Sequence, residues 1–541
     1  MEALRSLVAR EQIPLGAKVT RNVFYTAARS ILLAPLPFLL IPYFLKKLGP
    51  AGYGTWAVFL AVNGMTSLAD FGLVTSVSKH VAQQYALKDF RALGQLISTG
   101  FVLYLSIACA AAGILFAGSH VLLSLLFRNS QLSPDLLVVL WRFLILLVFA
   151  NILTLLLSSI VVGLQRMDLS TGISSLNLVL SAGLSVVFLR ANLGLRGILY
   201  GYVSAAWVVT LVYAYVVWCL LPEVKVRLAH CRWQVAREVL SFSVKAYITQ
   251  VAVAIHNQIE KFYLASFVGV LSVGWYEISS DLALKLRAIP SLVLAPVMPA
   301  ASELDARNDT GRIMNLYLRT HKYLALIGIP LVVYTMLEAK RFIVLWVGSS
   351  YSFLALPFSV LLAVNVINLM TGPGFLILTG RGKLRPGLRS ATLGIVLNLT
   401  LSLFLIRAFG FRGAVIGTSL SICLASGFFL IEYQLETKSP LADLARKAYL
   451  KPVISSLLAA AVLFVFERSA EARWITLFGE ALVFAGAYLV LLLLFRFFDS
   501  FDLEIVEKFL PVPRIARRFI PDAELGSALL PDSESAETTI G

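Results

Sequence analysis

Apolar runs of about 20 residues or more, separated by short polar turns, recur along the chain from residue 22 to residue 497. A helix needs roughly 20 apolar residues to cross the hydrocarbon layer of a bilayer. The runs therefore predict spans at 22–45, 53–77, 93–115, 136–161, 169–189, 198–220, 239–267, 273–297, 317–337, 353–376, 388–408, 414–433, 449–466 and 475–497. Strands are excluded within them. No alternating barrel pattern is present, and an open sheet edge would leave backbone groups unsatisfied in lipid. The expected fold is an all-α polytopic membrane protein of about 14 transmembrane helices. Beyond Asp499 the pattern changes. Residues 503–519 predict a basic amphipathic helix on the membrane surface, and the acidic, Ser-rich stretch after Pro521 reads as disordered. The first 21 residues are polar and basic, and the run that follows is too long for a cleavable signal.

The spans repeat. Leu-Arg-Ala-Asn-Leu-Gly-Leu-Arg-Gly at 189–197 returns as Ile-Arg-Ala-Phe-Gly-Phe-Arg-Gly at 406–413. With one gap, Arg190, Ala191, Gly194, Arg196 and Gly197 all match. Gly49 and Gly54 after the first span match Gly269 and Gly274 after the seventh, and the turns at Gln165-Arg166 and Gly380-Arg381 fall in equivalent places. This predicts two six-helix bundles, at 1–221 and 238–437, joined by a basic cytoplasmic linker at 222–237. Two additional helices follow at 438–498, and a cytoplasmic tail at 499–541. Six is an even number, so both bundles keep the same orientation and are expected to be related by a pseudo-two-fold axis along the membrane normal. Transporters built this way bind substrate between the halves and rock one against the other.

Composition sharpens the class. Of 541 residues 59% are apolar and 14% charged, with a mean hydropathy of +0.83. A soluble domain is roughly 45–50% apolar and about 25% charged. A soluble enzyme, a disordered regulator and a secreted disulfide scaffold are excluded. Cys109, Cys219, Cys231 and Cys423 show no metal or disulfide spacing. The net charge of +16 is mostly topology: 28 of the 46 basic residues fall in segments on the N-terminal side of the spans and 11 in the loops opposite. The excess places both termini in the cytoplasm and suits contact with anionic lipids, not nucleic acid. Seven remain within or beside the spans: Arg29, Arg142, Lys245, Lys261, Lys285, Arg287 and Arg496.

A charge near the bilayer centre costs about 2.5–3.5 kcal/mol, so such residues line a cavity, pair or snorkel. On the seventh span, Lys245, Thr249, His256 and Glu260 share one face at helical spacing. Tyr25 and Arg29 share a face of the first. Arg29 and Lys245 thus stand on equivalent first helices of the two halves and, with Tyr25, Thr249, His256 and Arg142, are the candidates for an anionic headgroup. Asp70, Glu260, Glu277, Asp281 and Lys285 are candidates for proton or cation coupling, and equally for plain interhelical pairing. Lys261 is expected near the outer interface and Arg287 near the cytoplasmic end of its helix. Prolines at 35, 37, 42, 290 and 296 and the sequence Thr371-Gly372-Pro373-Gly374 mark kinks. No phosphate-binding GxxxxGK[ST] loop, HExxH pair or metal-ligand spacing occurs, so no enzyme activity, cofactor or metal is expected.

Lys46-Lys47-Leu48-Gly49-Pro50-Ala51-Gly52-Tyr53-Gly54-Thr55-Trp56, followed by Leu68-Ala69-Asp70-Phe71-Gly72-Leu73, resembles the N-terminal motif of the polysaccharide transporters. These are Wzx-type flippases of the multidrug/oligosaccharidyl-lipid/polysaccharide exporter superfamily. The resemblance implies a MATE-like fold in a bacterial inner membrane. It implies a flippase that moves a polyprenyl-diphosphate-linked oligosaccharide to the periplasmic leaflet for O-antigen or exopolysaccharide synthesis. Implied partners are that lipid-linked substrate and the polymerase and glycosyltransferases of the same pathway. A lipid II flippase and a multidrug cation antiporter are the alternatives within the superfamily; basic residues on the first and seventh spans speak against a cationic drug.

Overall fold

A computed structural model describes residues 33, 35–130, 132–224, 226–227, 230–437, 441–465 and 473–502. Tyr25, Arg29 and the expected surface helix at 503–519 lie outside them. Among the described residues every regular element is helical. Eleven helices are long and apolar enough to cross a membrane, or twelve if one bent pair counts as a single span.

The chain divides into two compact units, Met1–Glu277 with Leu403–Ala414, and Ile278–Ser402 with Val415–Gly541. In the first unit, α1 (Pro35–Gly64) consists of two helical segments joined by a kink at Gly49, whose φ of 71° is left-handed. Pro50 follows directly, where its missing N–H interrupts nothing because a helix is just restarting. The second span was expected to run unbroken over 53–77. Instead a 3-10 turn, Met65–Asp70, and left-handed Phe71 and Gly72 separate α1 from α2 (Leu73–Ala86) at a bend of 48°. Asp70 explains the break: its Oδ1 accepts the Val74 N–H at 3.0 Å and the Tyr104 hydroxyl at 2.8 Å.

Five further helices follow in the first unit: α3 (Phe90–Ala117), α4 (Ser119–Leu126), α5 (Pro134–Gly163), α6 (Met167–Arg190) and α7 (Gly194–Leu220), the last pairing with α6. Small and hydroxylated residues make the contacts, as expected where lipid supplies no hydrophobic drive between helices. Thr154 bonds Thr210 across α5 and α7 at 2.8 Å, and Ser78 of α2 donates to the Ser159 carbonyl of α5 at 2.9 Å. The linker after α7 is held on α3 by Arg227 N–H to Ser98 Oγ (3.2 Å) and Arg232 N–H to Thr99 Oγ1 (3.1 Å).

α8 (Trp233–Phe267) packs in the first unit, with Ser76 of α2 donating to its Val239 carbonyl at 2.9 Å. It is not among the eleven apolar helices, because Arg237, Glu238, Lys245, Glu260 and Lys261 interrupt its apolar character. α9 (Val270–Ser291) starts in the same unit, where its Gly274 lies against Gly54 of α1. A Cβ on Gly54 would fall 1.9 Å from the Val270 oxygen, so the approach requires glycine.

The second unit contains α10 (Val297–Ala306), α11 (Thr310–Val347), α12 (Ala355–Leu369), α13 (Gly372–Gly380), α14 (Arg385–Phe409), α15 (Phe411–Thr437), α16 (Lys451–Val465) and α17 (Trp474–Leu494), with α14 and α15 crossing its boundary. Thr371-Gly372-Pro373 separates α12 from α13, the break its glycines and proline predict. The long α11 begins at Asp309, whose Oδ1 accepts the Arg312 N–H at 2.9 Å. One core of this unit joins Val297, Ala301, Tyr317, Ile377, Phe429 and Tyr433; another joins Leu463, Phe484, Tyr488 and Leu492 of α16 and α17 to Leu326 and Val333 of α11.

Both ends of that second core are tied by charge. At one, Arg341 of α11 bonds Glu338 at 3.2 Å and Glu480 of α17 at 2.6 Å. At the other, Lys322 lies 3.3 Å from Asp499 and 2.5 Å from Asp502, and Arg319 lies 3.5 Å from Asp499. Tyr323 donates to Asp502 at 2.6 Å, and Arg319 sits 3.9 Å over the Phe501 ring. Arg319 and Lys322 counted among the residues suited to anionic lipid; they are buried and matched by two carboxylates instead. Burial would raise the Asp499 carboxyl, but Lys322, the Asp502 backbone and Arg319 together hold it below the ordinary carboxylate range.

Candidate functional site

In the first unit Tyr247 and Gln258 of α8 face the 3-10 turn and α1. Tyr247 donates to the Leu68 carbonyl at 2.9 Å and its ring packs 5.0 Å from Phe71. The Gln258 amide lies over Gly64, in the space a Cβ would occupy. Beside it the Asn151 amide of α5 donates to Asn63 at 2.8 Å. His256 is half-buried on the same helix. The backbone of α8 carries Lys245 and Thr249, whose side chains lie outside the described residues.

Farther along α8, Lys261 forms an ion pair with Glu277 of α9 at 2.5 Å, and both are buried. This replaces the interfacial, snorkelling position expected for Lys261. Glu260, one residue away, is 1% exposed. Two acids and one lysine thus share a water-poor region where α8 meets α9. Their charge balance changes by one with each proton gained or lost. Asp70 is buried as well, but it is committed to Tyr104 and the α2 backbone.

In the second unit, Asp281 and Lys285 are a half-buried i,i+4 ion pair on α9. Arg142, on α5 of the first unit, is exposed.

Arg287 stands close to the C-terminal end of α9 (Val270–Ser291), as the sequence led one to expect, roughly 26 Å from the start of that helix at about 1.5 Å per residue. Its Nη2 donates to Asn368 Oδ1 at 3.1 Å, and Asn368 in turn donates to Ser426 at 3.1 Å. Its Nε has no hydrogen-bond partner, and among the described residues no carboxylate lies within ion-pair distance. Asp281–Lys285 and Lys261–Glu277 are ion pairs, whereas among the described residues Arg287 is a half-buried cation held by one neutral amide.

These arrangements stand in a recognisable chain. The model of the polysaccharide biosynthesis protein family matches residues 19–304. The chain belongs to this family. The motif at 46–56 and 68–73, read as that of a polysaccharide transporter, is borne out. A protein of Shigella flexneri named as an O-antigen transporter is 23% identical over 406 residues, covering 74% of this chain and 94% of the relative. A Haloferax volcanii protein named as the low-salt glycan biosynthesis flippase Agl15 is 22% identical over 402 residues, 72% of this chain and 78% of its own. Among solved structures, the lipid II flippase MurJ in an inward closed conformation superposes with a TM-score of 0.66 at 14% identity, covering 86% of this chain and 97% of that one. An inward-facing MATE multidrug transporter gives 0.59 at 16% identity, covering 75% and 94%. At such identities these two likenesses speak for the fold, which family membership makes that of a multi-pass membrane transporter.

Proposed function

We propose that this family member is a flippase that carries a polyprenyl-diphosphate-linked oligosaccharide repeat unit from the cytoplasmic to the periplasmic leaflet, for O-antigen or exopolysaccharide synthesis. The observation that carries the reading is family membership, together with relatives named as an O-antigen transporter and a glycan flippase that align over most of their length. Arg287, a half-buried cation with no carboxylate partner among the described residues, adds a chemical reason. A diphosphate crossing the bilayer needs a countercharge, and guanidinium offers it two parallel donors.

In this reading Arg29 and Lys245, with Tyr25, Thr249, His256 and Arg142, meet the anionic headgroup, and Arg287 is a separate candidate for phosphate contact in the second unit. Lys261–Glu277 with Glu260, and Asp281–Lys285, are where a proton or cation would couple to movement, since gaining one breaks a pair. Asp70 has a holding role at the α1–α2 bend. The full chain has 14 spans in two six-helix bundles at 1–221 and 238–437, a linker at 222–237, two added helices at 438–498 and a tail at 499–541. Glycine placement supports the duplication: Gly201 rests on Ser185 in the α6–α7 hairpin as Gly417 rests on Ser402 in the α14–α15 hairpin. The basic excess supports an inner-membrane protein with both termini cytoplasmic. No catalytic step is assigned.

The test is a deletion strain. Lipid extracts should accumulate a finished, unpolymerised repeat unit on its polyprenyl diphosphate, cleared by the wild-type gene. Accumulation of lipid II instead would favour the peptidoglycan-precursor reading. Drug sensitivity without any lipid intermediate would favour a multidrug antiporter.

A further inference from the structure

One cleft of the second unit lies outside everything assigned above. It forms where three helix ends meet: the start of α11 (Thr310, Ile313, Met314), the turn between α13 and α14 (Arg381, Lys383) and the end of α15 (Tyr433, Glu436, Thr437). Its volume is about 230 Å³, below the roughly 300–1,000 Å³ of sites for drug-sized ligands. Gly382, with φ of 71°, turns the chain so that its two neighbours both reach the rim. The floor is apolar and firm, because Tyr433 stacks on Tyr317 at 4.8 Å within the buried core.

The rim is balanced in charge. Arg381 bonds Asp305 at 2.8 Å, and Lys383 bonds Glu436 at 2.5 Å with both side chains about two-fifths exposed. A simple anion reaching Lys383 would face the Glu436 carboxylate, and a simple cation reaching Glu436 would face Lys383. A ligand carrying a phosphate and a primary ammonium a few bonds apart satisfies both, exchanging one ion pair for two. The surroundings identify the rest of it. Leu384, just before α14, Leu388 of α14, and Ile431 and Leu435 of α15 are 52, 43, 61 and 74% exposed beside the polar rim. A polar cleft bordered by bare aliphatic side chains at the ends of spanning helices suits a headgroup whose acyl chains run along the protein.

We propose that this cleft binds the headgroup of an ethanolamine phospholipid, its phosphate on Lys383 and Arg381 and its ammonium on Glu436. The site is separate from the residues assigned to the transported lipid and does not depend on that assignment. The experiment uses the purified full chain, equilibrated with equal amounts of phosphatidylethanolamine, phosphatidylglycerol and phosphatidylcholine, and read by native mass spectrometry. Phosphatidylethanolamine should be retained about tenfold over the others, as expected for one charge-assisted contact. Lys383→Ala and Glu436→Ala should each abolish the preference, whereas Arg389→Ala, one turn beyond the cleft, should leave it intact. The double exchange Lys383→Glu with Glu436→Lys keeps the surface pair, so it controls for folding, and it should recover part of the preference. Equal retention of phosphatidylglycerol would overturn the proposal in favour of a plain anion site. An unchanged preference in both alanine variants would overturn the site itself. Displacement by soluble phosphoethanolamine at the same concentration as the lipid would overturn the role given to the aliphatic border.

Discussion

Replacing Arg287 with methionine should separate transport from stability. The substitution keeps side-chain length and removes the charge. A cation within a span costs at most about 2.5–3.5 kcal/mol, the figure for the bilayer centre, and here its one hydrogen bond, to Asn368, returns about 1.5–3 kcal/mol because the donor is charged. Arg287→Met should therefore leave the purified protein as stable as the wild type or more stable, by up to about 2 kcal/mol. Transport should move the other way. Losing a charge-assisted contact to a diphosphate is worth about 1.5–3 kcal/mol, so flux should fall roughly ten- to hundredfold. Arg287→Lys keeps the charge but loses the paired donors, and should fall between. The assays are thermal unfolding in detergent and polymer export at matched protein level. Lower stability with normal export would refute the reasoning and make Arg287 a structural residue.

Three other outcomes follow from the same geometry. Lys261→Met should be destabilising by about 3–5 kcal/mol because it leaves a buried carboxylate without its cation, while Lys261→Met with Glu277→Leu should recover most of the loss in thermal unfolding. Gly54→Ala should impair folding or shift α1 away from α9, since its Cβ would meet the Val270 carbonyl; an unchanged melting temperature would contradict that contact. Asp499 is held below its unfolded value by Lys322 and Arg319 against the opposing effect of burial, so its contribution to stability is present above pH 4 and lost as pH falls through the lowered folded value. Melting temperature followed downward from pH 7 should hold until about pH 4 and then drop, and Asp499→Asn should remove that share of the drop.

What could be read from the sequence follows from what hydropathy measures. It locates where apolar residues lie, so the cores of the spans and the break at Thr371–Pro373 were legible, as was the local pair Asp281–Lys285. Helix ends were not, because a helix continues beyond its apolar run. The stretch drawn as 273–297 is two helices, Val270–Ser291 and Val297–Ala306, with Arg287 close to the end of the first. Pairing between helices was also hidden. Lys261 and Glu277 lie on different helices, Tyr104 is 34 residues from Asp70, and Lys322 is 180 from Asp502. The same charges that read as orientation signals, Arg319 and Lys322, turned out to fasten the last span to α11. Gly54 and Gly274 were legible for a different reason: tight helix approaches demand glycine, and the two lie against each other.

The central claim is that this chain alone moves a lipid-linked oligosaccharide between leaflets. It is tested most directly in proteoliposomes holding the purified protein and a labelled polyprenyl-diphosphate oligosaccharide placed in one leaflet. A membrane-impermeant glycosidase then reports the fraction that has crossed. The account predicts transfer well above protein-free vesicles, reduced by Arg287→Met and undiminished by Arg389→Ala. Transfer no faster than in protein-free vesicles, under an imposed proton or cation gradient of either sign, would contradict it.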